Sequence, residues 1–496
     1  MTEPHAAVFS LSSPVLLDGK LGTESENEEL CKLSVRSPPG NCTHWLDWAG
    51  QFSTIEVLPE EMVLEIFYFY KLACMNNQLS EWQCKWHNLA HVCRRWRTII
   101  FASQHRLDLR LLCTPKTSVK STLDLWPAFP IVVQYHSGSL FPDDRDKLTA
   151  VLQQPNRLCE INVDLCYPLS MTEFQLLQGT FPLLESFMLC SWQSESPVLS
   201  NTFLSGCAPR LNCLHLFGIA FPALPQLLSS ANDLVDLLLH RIPSTGYISP
   251  EALVGGLSAT PRLKMLTLHF APPTSRLNPG STPWNTPPPS SGRIILPALI
   301  QLIFNGPCNY LEDLLSRISA PSLKHAKIDF FDQPSFDISQ LFQFLGRVES
   351  QKLPDGAQAI LYLPDAFVYH SRSGAQSKHL LDTSEFFSLS LTCQLCFTMF
   401  QVNHICQQLS PLLSNVRTLD IHMSVQPLGS DEDLRDLLHL FSRVEQLHIT
   451  GSFIQDVARV QQLVSAEMAA DMLPALREHT VDLVPREVSL DSDGEW

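Results

Sequence analysis

A short apolar phrase that returns along most of the chain limits the possible fold more than any other feature. The phrase is Leu-x-x-Leu-x-Leu with apolar substitutions, and it is clearest at 211–216 and 263–268, each preceded by a proline. Two of its apolar positions lie two residues apart, which places them on one side of a β-strand. In the copy at 211–216 this predicts Leu214 and Leu216 inside, with Cys213 and His215 outside. The ten copies begin at Leu158, Leu184, Leu211, Leu234, Leu263, Leu299, Leu323, Val416, Val444 and Leu476.

The spacing of these copies resembles that of leucine-rich repeats. The first five copies begin 23 to 29 residues apart, a usual repeat length. The asparagine that many such repeats carry after the strand is mostly absent, so the resemblance is to a divergent form. It implies strand-plus-helix units that stack into a curved solenoid. A generic α/β domain with unrelated amphipathic strands is the alternative, and both predict a mainly parallel sheet. Helices are predicted at 172–177, 225–230, 250–257, 310–318 and 432–441.

Two intervals interrupt the rhythm. Pro272 to Gly292 is rich in proline and serine and has no apolar period, so we expect a disordered surface loop. The 93 residues between Leu323 and Val416 leave room for about three more units. The alternating segments Ala359 to Leu363 and Phe387 to Cys393 are candidate strands of degenerate units.

The segment 54–103 predicts two amphipathic helices. In the first, which follows Leu58-Pro59-Glu60-Glu61, apolar residues from Met62 to Tyr70 recur three and four apart. Pro59 and the two glutamates favour a helix start. In the second, Val92-Cys93-Arg94-Arg95-Trp96-Arg97 places apolar and basic side chains on opposite sides. Helices this short bury little surface alone, so we expect part of the apolar face to need a covering surface from elsewhere.

The order of a Leu-Pro start, an apolar helix and a Val-Cys-Arg-Arg-Trp-Arg helix resembles an F-box. The segment 107–114, Leu-Asp-Leu-Arg-Leu-Leu-Cys-Thr, and the loose repeats extend the resemblance to fungal F-box proteins. The resemblance implies binding to the Skp adaptor and, through it, to a cullin. One departure is the link from Lys71 to His87, which is longer and more polar than a compact F-box uses. By motif position the adaptor contacts are Leu58, Pro59, Met62, Val63, Ile66, Phe67, Leu89, Val92, Cys93 and Trp96.

These observations predict an α/β fold: a small helical F-box followed by an irregular leucine-rich-repeat-like solenoid with a parallel sheet. We expect residues 1–53 to be mostly disordered, 54–103 to form the F-box-like domain, 104–488 the repeat array and 489–496 an acidic tail. The predicted function is that of a substrate receptor in an SCF-type (Skp–cullin–F-box) ubiquitin ligase, with the array holding an unknown target protein. The alternative is a repeat scaffold unrelated to ubiquitin, in which 54–103 caps the solenoid.

Charge and hydropathy argue against two classes of partner. The net charge of −16 opposes general binding to nucleic acid, which needs a basic surface. No window approaches the ~18 uninterrupted apolar residues of a membrane span, and no N-terminal signal sequence is recognised. The 15 cysteines are scattered, which is typical of free thiols in a reducing compartment. We therefore expect an intracellular protein of the cytoplasm or nucleus, with no membrane or nucleic-acid partner.

Catalytic patterns are weak. The phosphate-binding loop GxxxxGK[ST], the dinucleotide motif GxGxxG and the nucleophile elbow GxSxG do not occur in the 496 residues. His87 and His91 have a zinc-compatible spacing, but Asn88 stands where a metalloprotease needs glutamate. A metal-dependent hydrolase at this pair is a third hypothesis, and Cys393, Cys396, His404 and Cys406 form a second weak metal pattern. We expect no catalysis, no metal and no cofactor.

Overall fold

The computed structural model describes most of the chain in segments. They are 58–76, 87–126, 129–135, 142–165, 171–192, 196–272, 292–331, 337–348, 357–363, 366–371, 388–393, 399–423, 431–451, 462 and 472–483. The disorder predicted for 1–53 and for almost all of 272–292, and the acidic tail at 489–496, lie outside the described residues.

The first elements are helical. They are α1 (Glu60–Asn76), α2 (His87–Val92), α3 (Arg94–Ala102) and α4 (Gln104–Leu107). Helix α1 takes in the first six residues of the link predicted between Lys71 and His87. The predicted link is therefore partly helical. The alanine, leucine and methionine residues within 71–76 favour continuation of the helix.

Strands and short helices then alternate. The first group is β1 (Leu111–Cys113), α5 (Val119–Leu125), β2 (Ile131–Tyr135), α6 (Pro142–Leu152), β3 (Leu158–Leu165), α7 (Met171–Leu176) and β4 (Ser186–Ser191). The second is β5 (Cys213–Phe217), α8 (Leu224–Leu228), β6 (Asp236–Ile242), α9 (Pro250–Leu257), β7 (Met265–Phe270), β8 (Ile294–Ile295), β9 (Gln301–Gly306), α10 (Cys308–Arg317) and β10 (Ile318–Ser319). The third is β11 (His325–Phe330), α11 (Ser339–Leu345), β12 (Ala357–Leu363), β13 (Ala366–Ser371), β14 (Ser388–Cys393), α12 (Met399–Gln408), α13 (Ser410–Leu413), β15 (Val416–Met423), α14 (Asp431–His439), β16 (Gln446–Gly451) and β17 (Glu478–Leu483).

Fifteen of these strands form one sheet. Their order is β1-β2-β3-β4-β5-β6-β7-β9-β11-β14-β13-β12-β15-β16-β17, and β8 pairs with β10 separately. Neighbours are parallel except at β13, which is antiparallel to both β12 and β14. The predicted α/β fold with a mainly parallel sheet is confirmed.

All ten copies of the apolar phrase coincide with strands. The reason is visible in β5, where Leu214 and Leu216 are buried while Cys213 and His215 are partly exposed, as predicted. The strand register places the first inward-facing residue of each strand beside that of the next strand. These residues are Phe187, Leu214, Leu237, Leu266 and Leu302. Such a continuous apolar row removes each side chain from water only if the neighbouring strands are present.

The interval between Leu323 and Val416 holds a different arrangement from the stacked units expected there. The candidate strands at 359–363 and 387–393 correspond to β12 and β14, but β14 lies beside β11, β12 lies beside β15, and β13 runs back between them. Only two residues separate β12 from β13 in sequence. A connection this short permits an antiparallel hairpin, whereas parallel neighbours need a crossover of roughly a dozen residues.

The strands present two different faces. Their inward residues share one core with buried side chains of the helices, among them Leu227 of α8, Leu253 of α9 and Leu311 of α10. Their outward residues, such as Cys213, His215 and Asp236, remain partly exposed. We call this second side the open face of the sheet.

Candidate functional site

The described residues 58–76 and 87–107, which we call the helical hairpin, pack one side of α1 against α3. Val63 and Phe67 of α1 and Trp96 of α3 are 0%, 2% and 7% exposed. The Phe67 and Trp96 rings meet edge to face, with centroids 4.9 Å apart. Cys93 caps the N-terminus of α3, and its Sγ accepts a hydrogen bond from the Trp96 amide at 3.4 Å. The hairpin therefore has its own small core.

The opposite side of α1 is apolar and is not covered by the part of the chain that the structure describes. Met62, Ile66 and Phe69 are 52%, 38% and 64% exposed, and they are spaced four and three residues apart. This spacing aligns them along one helix face, and we call them the apolar stripe. Val92 of α2 is a further exposed apolar side chain. A helix that has apolar residues on a second face, besides the one it buries, has a further surface available for packing.

The ten adaptor-contact residues predicted from the sequence divide into three groups. Pro59, Met62, Ile66 and Val92 are exposed, and Leu58, Leu89 and Cys93 are partly buried. Val63, Phe67 and Trp96 lie in the core of the hairpin, so in this conformation they support the surface and do not form it. Sequence reasoning did not place Phe69 among the contacts, although its spacing from Ile66 was the signal that could have found it.

The hairpin is joined to the sheet by polar and aromatic contacts. Lys71 Nζ lies 3.1 Å from the carbonyl oxygens of both Leu107 and Asp108. Arg110 donates to Asp108 at 3.1 Å, to Glu160 at 2.5 Å and to Glu185 at 2.9 Å. In an aromatic contact, the ring of Phe101 on α3 stacks on that of Trp126, with centroids 5.3 Å apart. The hairpin thus continues into the first strands as one packed structure.

A row of rings crosses the open face near the carboxyl ends of β4 to β7. Trp192 lies 4.4 Å from Phe217, Phe217 lies 4.1 Å from His240, and His240 lies 4.5 Å from His269, measured between centroids. We call these four residues the aromatic row. Trp192 is largely exposed, and the guanidinium of Arg241 lies over its ring.

The imidazoles of the aromatic row are held neutral by their surroundings. Burial, with further contributions from the neighbouring His269 and Arg241, lowers the pKa of His240 to about 4. Burial also lowers the pKa of His269, with a smaller contribution from Lys327. His240 Nδ1 and His269 Nε2 are buried and have no hydrogen-bond partner among the described residues. The row therefore presents flat, uncharged rings.

Gly218, which follows Phe217, allows the strands beneath the aromatic row to lie close together. Gly218 has φ of +65°, a conformation that other residues adopt at a cost. A side chain there would also collide with the carbonyl oxygen of Ser191, and the Gly218 amide donates to the His240 carbonyl at 2.8 Å. Gly218 thereby allows the ends of β4, β5 and β6 to approach closely beneath the aromatic row.

A second group on the open face joins Cys213, His215 and Asp236. His215 Nε2 lies 2.8 Å from Asp236 Oδ2 and 3.2 Å from Cys213 Sγ. Burial opposes the imidazolium, but the hydrogen bonds with Asp236 and Cys213 outweigh it and raise the pKa of His215 to about 10. The outward direction of Cys213 and His215 was predicted from the sequence. Asp236 was missed because only the pairing of β5 with β6 brings it to Cys213.

The two weak metal patterns of the sequence have different surroundings. His91 is exposed and meets Trp126 edge to face at 6.4 Å, while the His87 side chain lies outside the described residues. On α12, Cys406 is buried and His404 is exposed, with a 2.9 Å contact to Gln408. Within the described ranges, neither pattern gathers three metal-ligating side chains.

Two sequence comparisons with known proteins found no match. No family model matches the chain, and no curated protein gives a significant sequence match. Among the described helices, none is long and apolar enough to cross a bilayer.

Proposed function

We propose that this chain is the substrate receptor of an SCF-type ubiquitin ligase. In this proposal the helical hairpin is an F-box that docks on the Skp adaptor and thereby reaches the cullin. The sheet and its helices are a leucine-rich-repeat-like solenoid whose open face holds a target protein. The apolar stripe on α1 is the observation that carries the proposal. The expected place of action is the cytoplasm or nucleus.

The stripe supports docking because its exposure costs free energy that a partner can recover. Burying apolar surface contributes about 25 cal/mol per Å², and Met62, Ile66 and Phe69 are large side chains. A helix that offers residues at this spacing fits a groove on another protein. The contacts on the other side of α1, through Val63 and Phe67, hold the stripe in place.

The open face supports the second half of the proposal. The aromatic row offers exposed Trp192 beside the stacked rings of Phe217 and His240, and aromatic residues are common anchors of protein interfaces. The receptor makes no covalent bond to the target. It raises the effective concentration of the target near the ubiquitin carrier, and proximity of this kind is sufficient for a large rate gain.

The test measures binding of purified Skp adaptor to the full chain. We expect wild-type protein to bind and the double variant Ile66→Ala with Phe69→Ala to raise Kd at least about tenfold, or ~1.4 kcal/mol. Trp96 is unsuitable for this purpose because it is buried against Phe67. Its truncation would change folding as well as binding.

Leu125→Ala is the matched control. Leu125 is an apolar side chain that is 69% exposed, but it lies on α5, outside the hairpin. The control should bind as the wild type does, and circular dichroism should show that the double variant is folded. Failure of folded wild-type protein to bind the adaptor would reject the proposal, as would equal binding by the double variant.

A repeat scaffold unrelated to ubiquitin is the second candidate. It is favoured by the continuity of the core, since Val63, Trp96 and Ile99 of the hairpin belong to the same buried cluster as Leu111 of β1. A terminal unit that covers the end of a stacked array needs such continuity. The adaptor measurement separates the two candidates, because a cap alone has no reason to bind the adaptor.

A further inference from the structure

The donor atoms of Cys213, His215 and Asp236 converge on one point of the open face. The three ligand atoms all lie within 4.8 Å of one another. A single nitrogen, His215 Nε2, faces both the thiol and the carboxylate. A catalytic relay would use the two ring nitrogens for different partners, so the arrangement is one of convergence on a common centre.

The backbone imposes this convergence. Cys213 and His215 are two residues apart on β5, so both side chains leave the strand on the same side. In the register of β5 with β6, Asp236 stands directly opposite Cys213. The three ligands therefore come from two neighbouring strands of the sheet, which makes their spacing independent of any long loop.

All three donor types of this group are zinc ligands. Thiolate sulfur, imidazole nitrogen and carboxylate oxygen all bind Zn²⁺, at about 2.3 Å for sulfur and about 2.0–2.2 Å for nitrogen and oxygen. Tetrahedral coordination at those lengths separates the donor atoms by roughly 3.3–3.6 Å. The observed separations of 3.2 Å and 2.8 Å would have to widen by about half an ångström. Rotation of partly exposed side chains can supply a change of that size. Zinc binding also releases to solvent the proton that Asp236 and Cys213 hold on His215 and the proton of the Cys213 thiol, because the metal takes neutral imidazole and thiolate.

We propose that Cys213, His215 and Asp236 form a zinc site with three protein ligands and one open coordination position. His215 and Asp236 side chains are 19% and 18% exposed, so the ion is reachable from solvent while the ligands are held by their neighbours. Water fills the open position in the free protein. The site lies on the same face as the aromatic row, and it goes beyond the proposed ligase function, which needs no metal.

Zinc titration of the full chain tests the site. The purified protein is stripped with a chelator, and zinc binding is measured by competition with a chromophoric chelator. We expect Cys213→Ser, His215→Ala and Asp236→Asn each to remove one equivalent of zinc per chain relative to the wild type. Cobalt in place of zinc should give a thiolate charge-transfer band that is lost in Cys213→Ser, since sulfur is the source of that band.

Two controls separate this site from incidental binding. Cys207→Ser removes an exposed thiol, and His325→Ala removes an exposed imidazole from the open face at β11. Both should keep the equivalent of zinc, and zinc should raise the Tm of both but not that of Cys213→Ser. Circular dichroism without metal checks that every variant is folded.

The alternative is that the three residues form only a hydrogen-bonded ion pair with a neighbouring thiol. In that case the wild type and the Cys213→Ser variant would bind the same amount of zinc, and the cobalt band would be absent or unchanged. Either result overturns the proposal. Because the measurement uses metal alone, its outcome is independent of binding to the Skp adaptor.

Discussion

Lys71 on α1 is bonded to Asp108, the residue that follows α4. Its Nζ lies 3.1 Å from the Asp108 carbonyl oxygen and 3.4 Å from the Asp108 carboxylate. Asp108 has φ of 46°, in the left-handed region that asparagine and aspartate adopt more readily than most residues. One side chain thus connects the first helix of the hairpin to the entry of the sheet.

The first prediction concerns the two kinds of contact that Lys71 makes. Lys71→Met should lower the free energy of unfolding by about 1–2 kcal/mol, because it removes the donor to two carbonyl groups. Asp108→Asn should change it by less than about 0.5 kcal/mol, since the Asp108 carboxylate is 62% exposed in its ion pairs with both Lys71 and Arg110, and asparagine tolerates a left-handed backbone. Urea unfolding measures both values. Equal losses in the two variants would show that the ion pair, and not the carbonyl contacts, joins the elements.

The second prediction separates the two faces of α1. Phe67→Ala should cost about 3–5 kcal/mol of stability, because the ring is buried against Trp96. Ile66→Ala should cost less than about 1 kcal/mol, since that side chain is on the exposed stripe. Thermal unfolding of the two single variants provides the comparison. A large loss of stability in Ile66→Ala would mean that the stripe is covered by another part of this chain.

The third prediction follows from the environment of Glu312. Its carboxylate accepts hydrogen bonds from the amides of Gln340 and Leu341, at 2.6 Å and 2.9 Å. Burial nevertheless raises the pKa of Glu312 to about 7, above its ordinary value of 4.5. The folded protein therefore holds this proton more tightly than the unfolded chain, so its contribution to stability is lost as pH rises from about 4.5 to about 7.

Glu312→Gln tests this dependence. Glutamine keeps an acceptor for only one of the two amides, which costs stability equally at every pH, and it does not titrate. The stability of the variant relative to the wild type should therefore increase by up to about 3 kcal/mol between pH 4.5 and pH 8. Urea unfolding at several pH values measures the difference. A difference that stays constant over this range would contradict the raised pKa.

The fourth prediction has the opposite sign and concerns His240. Burial lowers the pKa of His240 to about 4, below its ordinary value of 6.5. The unfolded chain therefore takes up this proton first, and stability is lost as pH falls from about 6.5 to about 4. His240→Phe should keep the stack on Phe217 and remove this part of the acid sensitivity. An unchanged slope of stability against pH in the variant would show that His240 titrates normally.

The strands illustrate how much local sequence can predict. Leu214 and Leu216 lie inside β5 with Cys213 and His215 outside, because strand geometry alternates side chains whatever the neighbours are. The helices predicted at 250–257 and 310–318 correspond to α9 and α10 for the same reason, since three- and four-residue spacing is a local property.

The pairing of strands from distant segments was harder to predict from the sequence. The reversed strand β13 and the exchange of β12 and β14 depend on which edges meet in space. The apolar pattern of a strand reports its buried side and not its direction or its neighbour. The division of α1 into a buried face at Phe67 and a free face at Phe69 is similar, because both faces are apolar in the sequence.

The amino-acid sequence by itself indicated the strands of the ten apolar copies, which side of those strands is buried and several of the helices, because these depend on the period of apolar residues. Tertiary structure alone decided which residues meet across elements: Lys71 with Asp108, Trp192 with Phe217, and Asp236 with His215. These contacts are set by strand register and helix packing. They arise from the burial of the whole core, which no single stretch of the chain encodes.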